Sequence, residues 1–175
     1  TYTVRYDANA SGVSGVPADE KAHAYGKSFT LLSTKNMIRT GYTFTGWNTQ
    51  KDGSGTSYTE EQLVKELTPQ QDGEIILYAQ WTANAYTVVF DANGGDLMDG
   101  KTTADTRQTF TSGVTAQLKD QTFFAKKGYA FTGWICVKDQ KPYGNGDSFT
   151  ATPEAGEEIR MTAQWTPRTY KVIQK

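Results

Sequence analysis

One cysteine, Cys136, and one histidine, His23, are all this 175-residue chain holds of the side chains most used in metal binding and nucleophilic chemistry. A lone cysteine excludes an intrachain disulfide. A lone histidine beside a lone thiol leaves zinc or His-assisted nucleophilic chemistry short of parts. Charge of one sign is also missing, with 18 basic against 19 acidic groups and a net charge of −1. The balance is local as well, since residues 1–82 carry seven basic and nine acidic groups and residues 83–166 carry eight and ten. No basic stripe is available for nucleic acid or an anionic membrane. No apolar run approaches the roughly 20 residues of a spanning helix, so no membrane insertion by this chain is expected. Aromatic residues, by contrast, are plentiful, with four Trp, ten Tyr and eight Phe. A small domain without disulfides or a metal needs such residues, because each ring can bury roughly 150–250 Å².

The chain is a duplication. Tyr2–Asn9 (Tyr-Thr-Val-Arg-Tyr-Asp-Ala-Asn) returns as Tyr86–Asn93, and Ala79–Thr82 (Ala-Gln-Trp-Thr) as Ala163–Thr166, both displaced by 84 residues. Between them Gly41–Trp47 returns as Gly128–Trp134, displaced by 87. Such length changes belong in loops, because a strand would lose its register. Residues 1–82 and 83–166 are therefore read as two modules. Residues 167–175 are the start of a third repeat or a tail, since Tyr170–Ile173 opens the period again. That restart, with a first residue other than Met, is what a piece of a longer array would show.

Tyr2, Val4 and Tyr6 alternate with Thr3, Arg5 and Asp7, the period of a half-buried strand, and Tyr86, Val88 and Phe90 repeat it. Asp7–Asn9 and Asp91–Gly95 then supply turn residues. Further strands are expected over Ser28–Leu31 and Thr115–Leu118, and over Gly41–Asn48 and Gly128–Cys136. Gly46 and Gly133 interrupt the latter pair and predict bulges that let Trp47 and Trp134 reach the core despite their parity. Ile75–Trp81 is too uniformly apolar to assign a face, but Ile159–Trp165 alternates cleanly. The comparison places Leu77, Trp81, Met161 and Trp165 inside, along with Tyr42, Phe44, Tyr129 and Phe131. Ile76 and Tyr78 fall on the outer face. One helix is predicted, near 59–67, where Thr59 and Gln62 form a capping box before Leu63, Val64 and Leu67. Its counterpart, Ser148–Pro153, reads as loop or a single turn, which makes the helix a decoration of the first module.

Chemistry-bearing residues are sparse. His23 lies in the polar stretch Ala18–Lys27 and reads as a surface-loop histidine. Cys136 without a base reads as a small apolar strand residue. Asp96 with Asp99, and Glu157 with Glu158, are carboxylate pairs, yet glycosidase chemistry needs such a pair across a cleft and neither recurs in the first module. Asp91–Asp96 and Gly144–Asp147 resemble fragments of calcium loops but are also good turn sequences. No catalytic group, metal or cofactor is expected. The recurring Trp47, Trp81, Trp134 and Trp165 are better explained by packing than by sugar stacking. Ile76, Tyr78, Tyr58 and Tyr143 are the candidate interaction surface.

Tyr86–Gly95, Lys127–Trp134 and Ala163–Trp165, with Tyr2–Asn9, Gly41–Trp47 and Tyr78–Trp81 before them, resemble the Listeria–Bacteroides repeat, the group that includes the internalin B-type B-repeat. The likeness runs through both modules. Departures are Ala10 and Ser11, where a glycine pair is expected, and extra length in residues 10–27 and 94–114. The resemblance implies an α+β, mostly β fold: two tandem β-grasp (ubiquitin-like) modules in which first and last strands are parallel neighbours. It also implies a non-catalytic repeat of an extracellular bacterial cell-surface or wall-attached protein, acting as a spacer or stalk and a protein-interaction module. In such a fold the two ends sit on opposite sides, so tandem copies would extend into a rod. The short linkers Thr82–Ala85 and Thr166–Thr169 span at most about 14 Å, so neighbouring repeats of the chain are expected as partners. The alternative expectation is an adhesin that binds a host surface protein or glycan through loops differing between copies.

Overall fold

The computed structural model describes residues 1–68 and 72–173. The chain divides into Thr1–Ala83 and Asn84–Lys175. Both units are built from strands, and no α-helix occurs among the described residues.

In the first unit the strands are β1 (Tyr2–Asp7), β2 (Ala22–His23), β3 (Ser28–Thr30), β4 (Tyr42–Asn48), β5 (Ser57–Tyr58), β6 (Leu63–Lys65) and β7 (Glu74–Ala83). Five of them form a sheet in the order β2-β1-β7-β4-β5. The first and last strands lie side by side and parallel, with Val4 opposite Ile75 and Tyr6 opposite Leu77. The alternation seen in the sequence explains the face: Tyr2, Val4 and Tyr6 are buried, whereas Thr3 and Arg5 are exposed.

The second unit repeats the plan with β8 (Ala85–Asp91), β9 (Asp96–Leu97), β10 (Arg107–Thr111), β11 (Ala116–Gln117), β12 (Phe124–Ala125), β13 (Tyr129–Cys136), β14 (Pro142–Tyr143), β15 (Ser148–Phe149) and β16 (Glu158–Pro167). Its sheet order is β10-β8-β16-β13-β14, again with the first and last long strands parallel. Thr103–Thr106 adds one 3-10 turn. Strand β7 ends at Ala83 and β8 starts at Ala85, so Asn84 alone separates them, a shorter join than Thr82–Ala85. Tyr170, Val172 and Ile173, which open the third period, form no strand and are exposed.

The bulges are present at the two glycines. Pairing of β4 with β7 slips between Phe44 and Gly46, and pairing of β13 with β16 slips between Phe131 and Gly133. Each slip turns the next residue inward, leaving Trp47 at 0% and Trp134 at 1% exposure. Glycine is required there for two reasons. Its φ is 147° at Gly46 and 138° at Gly133, and a Cβ at Gly133 would stand 2.8 Å from the Tyr143 carbonyl oxygen. Burying each indole contributes on the order of 3 kcal/mol or more.

The helix expected near 59–67 is corrected. Leu63–Lys65 is strand β6, paired with β3 so that Phe29 faces Val64. Gln62 does accept the Thr59 amide at 2.8 Å, but that contact closes a turn. Glu61 and Glu66, both at φ 54°, prevent helical continuation on either side. A nine-residue helix gains little by itself, and the ribbon buries Val64 to 5% while Leu63 stays 68% exposed. The second unit builds the corresponding ribbon from β11, inside the expected strand Thr115–Leu118, and β15, where a loop or single turn was expected, with Ala116 opposite Phe149. The segment is thus common to both modules.

Candidate interaction surface

The Asp-Ala-Asn turn is where the repeated motif becomes geometry. Asp7 accepts the Asn9 amide at 2.8 Å, and Asp91 accepts that of Asn93 at the same distance. Each asparagine adopts a left-handed backbone, φ 51° and 48°, as short polar side chains tolerate. Its amide then donates to the last strand, Asn9 to the Ala79 carbonyl and Asn93 to that of Ala163. The indole N–H groups of Trp81 and Trp165 return the connection, donating to Ala8 and Ala92 at 2.9 and 2.7 Å. The first and last strands are therefore tied at one end of each module by side chains read directly from the motif.

Of the expected core, Trp47, Leu77, Trp134 and Met161 are fully buried. Tyr42, Phe44, Trp81, Tyr129, Phe131 and Trp165 are half-buried and form a second layer towards solvent. Phe44 meets Trp81 edge-on at 5.8 Å, and Phe131 meets Trp165 likewise at 5.7 Å. A cation caps this layer in each unit. The Arg39 guanidinium lies 3.6 Å from the Tyr42 ring centroid, and the Lys126 ammonium lies 4.6 Å from that of Tyr129. Sequence reasoning did not single out Arg39 and Lys126. The available signal was a basic residue three before the tyrosine in both copies.

Ile76 and Tyr78 lie on the outer side of β7 and are half-buried. Arg5 stands beside Ile76 and Asp7 beside Tyr78, and the Lys51 ammonium is 5.6 Å from the Tyr78 ring. Arg5 bridges Glu74 at 3.2 Å and Asp7 at 3.3 Å. In the second unit Arg160 and Thr162 replace the isoleucine and tyrosine, and the face carries Arg160–Asp91 and Arg107–Glu158 ion pairs instead. Exposed pairs of this kind contribute little stability, so the difference is chiefly one of surface chemistry.

Tyr58 and Tyr143 occupy equivalent positions, opposite Trp47 and Trp134. Both are half-buried and pack on their own cores. Tyr143 meets Phe149 edge-on at 5.3 Å and donates its hydroxyl to Asp139 at 2.7 Å. Burial and the adjoining Asp139 carboxylate push its phenol up to about 12.

His23 is corrected from a loop residue to a member of edge strand β2, paired with Tyr2. Its ring stacks on Phe29 at 3.6 Å, and its Nε2 lies 2.8 Å from Asp19. Phe110 holds the corresponding place opposite Tyr86 in the second unit, so His23 does the work of a packed ring. Cys136 is buried, and burial pushes its thiol up, opposite to what a nucleophile needs. Glu157 is held by Lys138 and Glu158 by Arg107, so this carboxylate pair diverges. Asp147 accepts the Gly144 amide at 2.6 Å as a turn residue. No group of three or more His, Cys, Asp or Glu positioned to hold a metal ion occurs among the described residues. No helix among them is long and apolar enough to cross a membrane.

A groove of about 530 Å³ lies against the capped aromatic layer of the second unit, lined by Asp96, Lys126, Lys127, Tyr129, Trp165 and Arg168 among others.

Two sheets of one topology, each locked by the same turn and tryptophan contacts, define a tandem array of all-β repeat modules. Residues 2–80 and again 86–164 match the Listeria-Bacteroides repeat domain, and the chain belongs to that family. It is 35% identical over 173 residues to a protein of Evansella cellulosilytica described as a Gly-rich membrane protein, covering 98% of this chain and 19% of that one. It is 37% identical over 128 residues to internalin H of Listeria monocytogenes, covering 72% of this chain and 19% of internalin H. A second protein of Evansella cellulosilytica, described as a membrane protein, is 39% identical over 84 residues, covering 47% of this chain and 12% of that one. The chain thus spans about a fifth of the length of the first two relatives. No solved structure matches the chain.

Proposed function

We propose that this chain is a non-catalytic repeat region of an extracellular bacterial surface protein, serving as spacer and protein-interaction module. The observation that carries the proposal is the division of labour within the repeat. Residues common to both copies build two closed cores, while the outer faces diverge from Ile76 and Tyr78 to Arg160 and Thr162. A spacer needs the first property and a docking module the second. Kinship with internalin H and with two proteins described as membrane proteins favours placement at the cell surface, wall-attached or otherwise. The β-grasp designation belongs to the same reading. Its support is the parallel pairing of first and last strands, with two-stranded ribbons such as β3–β6 standing where a β-grasp carries its helix.

The test is made in the parent protein on intact cells. Removing one module should bring the segment beyond the repeats closer to the wall and reduce its accessibility to an antibody. Unchanged accessibility would refute the spacer role. Docking through the outer face predicts that Ile76→Glu with Tyr78→Glu abolishes capture of the partner and leaves the fold intact.

A second reading, an adhesin whose copy-specific loops bind a host protein or glycan, is favoured by the groove that adjoins the second module's longer 94–114 segment. Absence of binding by the chain across a matrix-protein and glycan array would remove it.

A further inference from the structure

We propose that the groove beside Tyr129 binds an acidic polysaccharide, a chain of uronic-acid pyranoses held by its carboxylates and by one ring face. The proposal deepens the adhesin reading, on which it rests, by naming a ligand class. The groove's charge runs against that of its module. Residues 83–166 hold more acidic than basic groups, yet Lys126, Lys127 and Arg168 line this groove against Asp96. Its volume of about 530 Å³ suits a short stretch of sugar rings.

Two of the cations are already placed. Arg168 donates its amide to the Gly128 carbonyl at 2.8 Å and its Nε to the Tyr129 carbonyl at 3.0 Å. Lys126 sits over the Tyr129 ring and 3.5 Å from the Asn93 carbonyl oxygen. Positioned donors lose less freedom when a ligand arrives. Lys127 is exposed beside them.

The state of the backbone separates a glycan from a peptide. An extended peptide would need unpaired main-chain groups along the groove to add as a strand. Here the Tyr129 amide donates to the Lys126 carbonyl, and Arg168 occupies the carbonyls of Gly128 and Tyr129. The Met98 amide donates to Phe123, and the Phe124 carbonyl accepts from Gln121. What the groove offers is cationic side chains and the half-buried surfaces of Tyr129 and Trp165. A polyol phosphate would satisfy the cations but has no ring face to lay on the aromatics. A uronic-acid chain supplies both.

The site is specific to one copy. At the shifts of 87 and 84 residues, Lys126, Lys127 and Arg168 correspond to Arg39, Thr40 and Asn84, so the first module keeps one cation of three.

The experiment titrates the isotopically labelled chain with tetragalacturonate and follows amide shifts. Expected are changes over residues 126–131, at Trp165 and at Arg168, with none in the first module. Raising salt from 50 to 200 mM should weaken binding several-fold, through screening of contacts to three cations. Lys127→Ala with Arg168→Ala should lower affinity about tenfold, the equivalent of ~1.4 kcal/mol, with unchanged thermal unfolding. Absence of shifts, or equal shifts in both modules, would overturn the proposal. So would equal affinity for a glycerol-phosphate oligomer or for polyglutamate, which would assign the groove to charge alone or to an acidic peptide. Binding of a matrix protein without any response to tetragalacturonate would overturn the sugar site while leaving the adhesin reading standing.

Discussion

A Cβ placed on Gly133 would come within 2.8 Å of the carbonyl oxygen of Tyr143, and the two residues belong to strands that pair only beyond the bulge. The same relationship holds at 3.0 Å between Gly46 and Tyr58. Both glycines also adopt a φ that L side chains rarely adopt. Gly133→Ala should therefore destabilise the second module by about 2–3 kcal/mol, the cost of strain added to a displaced carbonyl. Urea unfolding of the variant checks this, and a loss under about 0.5 kcal/mol would mean the bulge tolerates a side chain.

Leu63 and Val64 discriminate a strand from a helix at 59–67. In a helix with Leu63, Val64 and Leu67 on its apolar side, an aspartate at either of the first two positions would be damaging. In the observed ribbon Val64 is buried and Leu63 exposed. Val64→Asp should cost about 3 kcal/mol or more through burial of an unpaired carboxylate, and Leu63→Asp within about 0.5 kcal/mol. Thermal unfolding of the two variants supplies the comparison.

The Tyr143 phenol, raised from 10.0 to about 12, makes a pH prediction for the second module. The folded state holds this proton more tightly than the unfolded state. Its contribution to stability is complete below pH 10.0 and declines as pH rises through about 12, because the unfolded chain ionises first. Tyr143→Phe should remove that part of the alkaline decline. Asp139→Asn should bring the phenol's titration down, visible in its ultraviolet absorbance.

Cys136 reports on the same module without any engineering. Its thiol is buried and pushed up by burial, so a disulfide-exchange reagent should label it only when that module opens. Labelling in urea should follow the unfolding of Asn84–Lys175 and ignore that of Thr1–Ala83. Fast labelling of the native protein would contradict the packing described for β13.

Much of the fold was readable because the chain carries two versions of each strand. Ile159–Trp165 resolved the face of Ile75–Trp81, and the recurring glycines marked the bulges ahead of Trp47 and Trp134. The helix near 59–67 was misread because its evidence was local. A Thr-x-x-Gln contact closes a turn as readily as it opens a helix, and burial of Val64 against Phe29 decided between them. His23 looked solitary because neither Phe29 nor the edge pairing with Tyr2 shows as a histidine partner in a linear reading. Of the proposed interaction residues, Tyr58 and Tyr143 prove to be tied to their cores, while Ile76 and Tyr78 face outward.

The groove at Tyr129 was illegible for a related reason. Arg168 lies far along a chain of balanced charge from Lys126 and Lys127 and joins them only when β13 pairs with β16. By itself the sequence determined the duplication, the alternation of faces along the long strands and the burial of Trp47, Leu77, Trp134 and Met161, since periodicity and repetition are local properties. Only the tertiary structure decided the register of β1 against β7, the ribbon that replaced a helix, and which surface residues meet. Those depend on contacts between residues some 70 positions apart, as from Trp165 to Ala92, whose separation is set by the burial of the whole module.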